Sequence, residues 1–361
     1  MSLGEHTVEI KVKNTQLVPK YLFLNVKRLT HVTIPSCVTK IEECAFEGCS
    51  NLAELTIPPN VTTISSGAFN KCTSLTELII PNTVTSCTCS FASCSNLVSL
   101  NLPDSMTRLN GQCFSQCTKL KRINSNVDGV YNIPNVSSLG LSAFNSCKEA
   151  VDITISNNAT FTDGHVFAGC SKLKRINSNI DGVYNIPSII TILYENTFGG
   201  CTQLEAIYMS DNITKIEGSC FSQCTKLKRI NSNVDGVYNI PSATTYIGNM
   251  CFRSTLVENV SIPNGLITLG YSAFSGCSHL TDIILPEGVT TININTFDSC
   301  SSMTIAELPS TITSIGKDAF NRCSNMSSLI LKAITPPTLG SNVFAGNNCI
   351  IYVPASSVST Y

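Results

Sequence analysis

A phenylalanine-centred segment of about 23 residues recurs along almost the whole chain. One copy runs from Ala45 to Pro58 as AFEGCSNLAELTIP. Thirteen copies carry this phenylalanine, which we call the anchor phenylalanine: Phe46, Phe69, Phe91, Phe114, Phe144, Phe167, Phe198, Phe221, Phe252, Phe274, Phe297, Phe320 and Phe344. Of the twelve gaps between them, nine span 22 to 24 residues and three span 30 or 31. A fixed short period of this kind predicts a solenoid.

Each copy contains two short segments with the pattern of β-strands. Leu55, Thr56 and Ile57 alternate apolar and polar, which is the strand period, and Pro58 ends the strand because it cannot donate to a ladder. Residues 61–64 form a second extended piece. One copy cannot close a core alone, so copies must stack. We therefore predict a β-dominated solenoid of about thirteen coils, in which every anchor phenylalanine is nearly fully buried.

The cysteines follow the same period. Eleven of the 19 lie three residues after an anchor phenylalanine: Cys49, Cys72, Cys94, Cys117, Cys147, Cys170, Cys201, Cys224, Cys277, Cys300 and Cys323. Cys113, Cys220 and Cys251 directly precede an anchor. A free cysteine suits such a slot as a small apolar residue. Disulfides remain an alternative, since strands about 4.8 Å apart lie within the usual range for a bridge.

Composition narrows the possible partners. Charged residues make up only 13% of the chain and the formal net charge is −1, so nonspecific attraction to nucleic acid is not expected. No apolar run approaches a membrane span, and residues 1–6 show no secretion signal, which leaves a cytoplasmic location open. The four histidines occupy unrelated repeat positions and no zinc-type cysteine pair occurs. We therefore expect no catalytic cluster, metal or cofactor.

The three longer copies each contain a near-identical insert. The inserts are predicted near residues 124–132, 177–185 and 231–239, and each includes an Asp-Gly pair between β-forming residues. Asp-Gly is typical of a type I′ hairpin turn. We expect three protruding hairpins, neighbours about 10 Å apart. As a binding ridge they would present Asp128, Tyr131, Asp181, Tyr184, Asp235 and Tyr238. Duplication of a loop without function explains the same near-identity.

Aligning the copies also predicts an outward column of charged residues on the main sheet. Arg122, Asp152 and Arg175 fall on successive strands in this alignment and would pair. Arg122, Arg175 and Arg229 each belong to a basic cluster, and together these clusters could form a stripe for an anionic glycan. A solvated face with internal ion pairs is the alternative interpretation.

The repeated motif resembles that of the BspA-like (Treponema pallidum type) leucine-rich repeat family. The hallmark pattern stands here as Ile57-Pro58, residues 61–64, Ala68-Phe69 and residues 72–75, and the match covers roughly residues 30–355. The resemblance implies a right-handed solenoid with a parallel sheet on the concave face. Residues 31–332 would form this solenoid, and residues 1–30 and 333–361 would cap it. A strand over residues 7–13 is expected in the first cap.

Members of that family are known mainly as surface-exposed, adhesive proteins, which implies a non-enzymatic binding function. The expected partner is a protein or glycan on a cell surface or in the extracellular matrix, without membrane insertion. Two alternatives remain: an intracellular interaction scaffold, favoured by many free thiols, and a phage or virion attachment component. The sequence does not identify the oligomeric state.

Overall fold

The computed structural model describes residues 8–9, 16–133 and 135–360. The chain divides into two compact units, residues 1–177 and residues 178–361. In both units each coil carries one strand of a main row, one strand of a second row and a turn that holds the anchor phenylalanine. Every strand pairing is parallel, and residues with the same place in the repeat face each other, as in Glu77 opposite Ser99.

The first unit contains sixteen described strands in two rows. The main row comprises β1 (Val8–Glu9), β3 (His31–Thr33), β5 (Glu54–Thr56), β7 (Glu77–Ile79), β9 (Ser99–Asn101), β11 (Arg122–Ile123), β12 (Val130–Ile133), β14 (Asp152–Ile155) and β16 (Arg175–Ile176). The second row comprises β2 (Leu17–Val18), β4 (Lys40–Ile41), β6 (Thr63–Ile64), β8 (Ser86–Thr88), β10 (Arg108–Asn110), β13 (Ser138–Leu139) and β15 (Thr160–Phe161). Hydrogen-bonded ladders connect successive members of each row, with a break in both rows after β5 and β6.

The second unit repeats this arrangement. Its main row comprises β17 (Val183–Asn185), β19 (Ala206–Tyr208), β21 (Arg229–Ile230), β22 (Val237–Asn239), β24 (Asn259–Ser261), β26 (Asp282–Ile284), β28 (Ile305–Leu308), β30 (Ser328–Leu331) and β32 (Ile350–Tyr352). Its second row comprises β18 (Ile192–Leu193), β20 (Lys215–Ile216), β23 (Tyr246–Ile247), β25 (Thr268–Leu269), β27 (Thr291–Ile292), β29 (Ser314–Ile315) and β31 (Thr338–Leu339). A short 3₁₀ helix, Ala355–Ser357, follows the last strand.

The anchor phenylalanines stack in the core of each unit. Neighbouring ring centroids lie 5.2–6.1 Å apart from Phe23 to Phe167. They lie 5.3–6.0 Å apart from Phe198 to Phe344. Phe46 through Phe320 are fully buried, as predicted, whereas Phe344 is half-buried because no further ring covers it.

The cysteine of each repeat satisfies a backbone carbonyl of the preceding coil. In the first unit Cys72 Sγ donates to the Phe46 carbonyl at 3.2 Å, and in the second Cys323 Sγ donates to the Phe297 carbonyl at 3.1 Å. The same bond is made by Cys49, Cys94, Cys117, Cys147, Cys170, Cys224, Cys277 and Cys300. Asn347 occupies the slot in the last coil, and its side-chain amide donates to the Phe320 carbonyl at 3.1 Å.

Three sequence predictions change in detail. The solenoid class is confirmed, but the described residues form about fifteen coils rather than thirteen, because Phe23 adds a coil within the predicted first cap and β32 begins another after Phe344. Seventeen cysteines are free, whereas Cys113 forms a disulfide with Cys87 and is not a free thiol. Of the strand expected over residues 7–13, Val8–Glu9 is present as β1, and the rest lies outside the described residues.

None of the described segments forms a helix with the length and apolar character that a bilayer crossing requires.

Truncating an internal ring should destabilise the protein far more than truncating the last one. We expect Phe274→Ala to lower the free energy of unfolding by about 3–5 kcal/mol, because it leaves a cavity between two stacked rings. Phe344→Ala should cost clearly less, since that ring is only half-buried. Urea unfolding followed by circular dichroism measures both. Equal losses for the two variants would contradict the stacking argument.

The buried free thiols should be unreactive until the chain unfolds, whereas Cys37 is exposed. Burial raises the pKa of the Cys49 and Cys277 thiols to about 11 and that of Cys323 to about 12. The thiolate is the reactive form, so these groups stay protonated and unreactive at neutral pH. Titration with a chromogenic disulfide in denaturant should count 17 thiols before reduction and 19 after it. A near-zero count before reduction would instead show a disulfide-bonded protein.

Candidate functional site

The inserts form additional parallel strands and not hairpins. In the first insert, β11 and β12 run in the same direction, with Ile123 opposite Tyr131. In the third, β21 and β22 pair in the same way, with Ile230 opposite Tyr238. The hairpin prediction is therefore wrong for these two inserts. The Asp-Gly pair closes a miniature coil, in which Gly129 has φ +85° and its N–H donates to the Lys121 carbonyl at 2.7 Å.

An asparagine begins each miniature coil. Asn124 leaves the strand with φ +47°, a left-handed conformation that asparagine tolerates well. Its side-chain amide bonds both backbone groups of Leu102, accepting from the N–H at 2.8 Å and donating to the carbonyl at 3.0 Å. Asn177 and Asn231 have the same φ, and their side-chain oxygens accept from the N–H groups of Ile155 and Met209. The asparagine thus replaces the ladder bonds that the departing chain gives up.

The three insert tyrosines are buried, contrary to the expectation that they are displayed. Tyr131, Tyr184 and Tyr238 have no exposed surface. The Tyr131 hydroxyl donates to the Leu120 carbonyl at 2.6 Å, and the Tyr238 hydroxyl to the Leu227 carbonyl at 2.8 Å. All three rings pack against an anchor phenylalanine, with centroids 5.6–6.0 Å apart. Because a miniature coil brings no phenylalanine, the longer tyrosine fills the core at that level.

A signal in the sequence could have revealed this placement. Tyr131-Asn132-Ile133 precedes Pro134 as Leu55-Thr56-Ile57 precedes Pro58, which puts the tyrosine in the inward leucine slot. The inserts expose Asp128, Asp181 and Asp235, as expected, and beside them the apolar residues Val127, Ile180 and Val234, which the sequence analysis did not select. Their surfaces are 63%, 65% and 63% exposed. We call these three the tip residues.

The tip residues stand on rigid loops. In the first insert the Ser125 hydroxyl accepts from the Val127 N–H at 3.0 Å, and Ser178 and Ser232 do the same for Ile180 and Val234 at 3.1 and 3.0 Å. An adjacent aspartate adds ion pairs in the first and third inserts. Asp128 contacts Lys121 and Arg122 at 3.2 and 3.1 Å. Asp235 contacts Arg229 at 3.1 Å. The loops therefore hold each apolar tip in water without a flexible hinge.

The charged residues chosen from the sequence lie mostly in ion pairs. Asp152 pairs with Arg175 at 2.9 Å on adjacent strands, as predicted. Arg122 does not neighbour Asp152, because β12 lies between them and places Val130 opposite Asp152. Arg122 and Arg229 pair with aspartates of their own inserts, which neutralises part of the basic stripe. Asp181 is exposed beside Ile180.

Spacing within the second unit also differs from the prediction. β19 and β21 lie between β17 and β22, the strands that the second and third inserts contribute. Three strand spacings separate those strands by about 14 Å, against the expected 10 Å. The difference is one strand, which the insert itself contributes.

Comparison with known proteins identifies the repeat. The model of the BspA type leucine-rich repeat region matches residues 16–135, 88–186, 124–244 and 231–351. A leucine-rich repeat protein from Bacteroides ovatus is 26% identical with a TM-score of 0.61, and the match covers 82% of this chain and 85% of that one. A leucine rich cell surface protein from Faecalibacterium prausnitzii is 23% identical with a TM-score of 0.59, covering 90% and 86%. A search of curated proteins finds no match.

The placement of tyrosine and tip residue can be tested by paired substitutions in one insert. Val127→Ser should change the free energy of unfolding by no more than about 0.5 kcal/mol, because the side chain is exposed. Tyr131→Ala should cost about 3–5 kcal/mol, since it opens a cavity and removes a buried hydrogen bond. Chemical denaturation gives both values. A costly Val127→Ser together with a harmless Tyr131→Ala would restore the displayed-tyrosine interpretation.

Proposed function

The chain belongs to the BspA-type leucine-rich repeat family, and we propose that it is a non-enzymatic recognition protein that binds a partner protein at a cell surface or in the extracellular matrix. The observation that carries this proposal is the repeated tip. Three inserts expose a β-branched apolar residue at the same position, although stability of the fold gains nothing from exposing it.

The chemistry of the tips favours a protein over a glycan. Valine and isoleucine gain free energy by leaving water against another apolar surface. Sugar rings would instead need aromatic faces, and the insert tyrosines are buried. Rigid loops also lower the entropy that binding must overcome, which supports recognition by pre-formed tips. The cell-surface location is supported by the description of the Faecalibacterium protein, which has a similar fold.

One observation favours a second candidate, an intracellular scaffold. Seventeen of the cysteines are free, and free thiols are typical of reducing compartments. Most of them are buried, so the fold itself also shields them from oxidants. Fractionation of the source cells combined with surface proteolysis distinguishes the two locations, because only a surface protein is cleaved on intact cells.

Binding should depend on the tip residues. The full chain would be measured against arrays of extracellular matrix proteins and glycans, beside the variant Val127→Ser/Ile180→Ser/Val234→Ser. The tip variant should weaken protein binding at least about tenfold, because a few apolar anchors dominate most interfaces. The matched control is Ile267→Ser/Ile294→Ser/Ile334→Ser, which removes three other exposed apolar side chains and should bind normally.

Two results would contradict this proposal. If the tip variant and the control variant bind the same protein equally well, the tips are not the binding surface. If the chain binds only glycans, and the tip variant retains that binding, the partner class is wrong.

A further inference from the structure

A cavity of about 290 Å³ lies on the second unit beside the second-row strands β20 and β23. It is separate from the inserts. Its lining includes Glu195, Glu217, Tyr246, Asn249, Met250 and Tyr271. Two glutamates and two tyrosines therefore line one concave surface, a combination that the repeat pattern does not require. We propose that this cavity binds a small organic ligand through a protonated amine.

Glycines precede or belong to the cavity lining on successive coils. Gly218 is part of the lining, and Gly248 and Gly270 directly precede the lining residues Asn249 and Tyr271. A Cβ on Gly248 would lie 2.4 Å from the Gly218 nitrogen, and one on Gly270 would lie 2.4 Å from the Asn249 nitrogen. The coils therefore approach each other closely beside the cavity, and no side chain can project from these two positions.

The backbone beside the cavity is already hydrogen-bonded, and two lining side chains are held in place by backbone N–H groups. Gly248 N–H donates to the Ile216 carbonyl and Gly270 N–H to the Ile247 carbonyl, both at 2.8 Å. The Asn249 side-chain oxygen accepts from the Tyr271 N–H at 3.1 Å. Glu217 Oε2 accepts from the Glu195 N–H at 3.2 Å, which fixes that carboxylate at the rim.

Neither carboxylate has a cationic partner among the residues that the structure describes. The contrast with the first unit is informative. Lys40 and Glu42 flank Ile41 and form an ion pair at 3.1 Å. Lys215 and Glu217 flank Ile216 in the same way, yet no ion pair joins them within the described part of the chain. Two glutamates thus line one cavity without an ion-pair partner among the described residues, which favours a bound cation.

An amine fits this site better than a metal ion does. Calcium takes six to eight oxygen ligands, and two glutamates supply too few. No group of three potential metal-ligating side chains occurs among the described residues. Tyrosine rings, in contrast, attract organic cations through their faces. The volume suits a polyamine end or an amino sugar.

Isothermal titration calorimetry of the full chain tests the proposal with three cationic probes: spermidine, glucosamine and tetramethylammonium. Glucose serves as the neutral probe and calcium chloride as the metal. We expect spermidine or glucosamine to bind and glucose not to bind. The preferred one of the two identifies the source, since spermidine is a polyamine and glucosamine an amino sugar. Tetramethylammonium carries the charge without an N–H donor and should bind more weakly than either, and the opposite order would contradict binding through a protonated amine.

Variants make the result specific to this cavity. Glu195→Gln/Glu217→Gln should weaken binding on the order of tenfold, and Tyr271→Leu about threefold, through loss of charge and of the ring face. Asp211→Asn/Asp282→Asn removes the same two charges from exposed positions elsewhere on the unit and should leave the affinity unchanged. Thermal unfolding of each variant checks that it is folded.

Three outcomes would overturn the proposal. The first is equal affinity of the wild type and the double glutamine variant. The second is equal weakening by the aspartate control, which would show a general charge effect. The third is calcium binding that needs Glu195 and Glu217 while no cationic probe binds.

Discussion

A side-chain hydrogen bond to the anchor carbonyl of the preceding coil ties most neighbouring coils together. That carbonyl already accepts the N–H three residues on, as Phe46 does from Cys49 at 3.2 Å, so the bond from the next coil is a second one and joins two coils. In most repeats the thiol of the following repeat supplies it, as Cys72 does for Phe46. Asn347 shows that the bond matters more than the sulfur, because its amide bonds the Phe320 carbonyl in the same slot. The cysteine ladder is therefore a hydrogen-bonding device, and burial keeps it chemically inert.

The inserts obey the same rule with different residues. A miniature coil has neither phenylalanine nor cysteine, so it needs another way to fill the core and another donor. Tyr131 provides both, since its ring packs on Phe144 and its hydroxyl bonds the Leu120 carbonyl. Because one residue both fills the core and donates this hydrogen bond, the copies keep tyrosine without exposing it. The positions left free for recognition are those whose side chains neither fill the core nor hydrogen-bond a buried carbonyl, such as Val127.

Sequence reasoning predicted what the repeat itself dictates. Burial of Phe46 to Phe320, the strand register of Glu77 with Ser99 and the pair of Asp152 with Arg175 all follow from alignment of the copies. It was wrong about the inserts because local turn chemistry was given more weight than the register of Tyr131-Asn132-Ile133 before its proline. Phe23 was missed since Val26 occupies its cysteine slot. The Glu195 cavity was beyond reach, because its lining residues come from four coils that meet only in the folded chain.

A core that repeats so regularly separates stability from recognition. Stacked phenylalanine rings, thiol-to-carbonyl hydrogen bonds and strand ladders hold each coil to its neighbours. A substitution at an exposed tip or at the acidic cavity therefore leaves those contacts intact. The two candidate surfaces differ in chemistry accordingly. The tips are apolar and convex, and suit a folded protein, whereas the cavity is acidic and concave, and suits a small amine. Because they use different residues, each can be removed by substitution while the other is retained, which makes the two proposals independent.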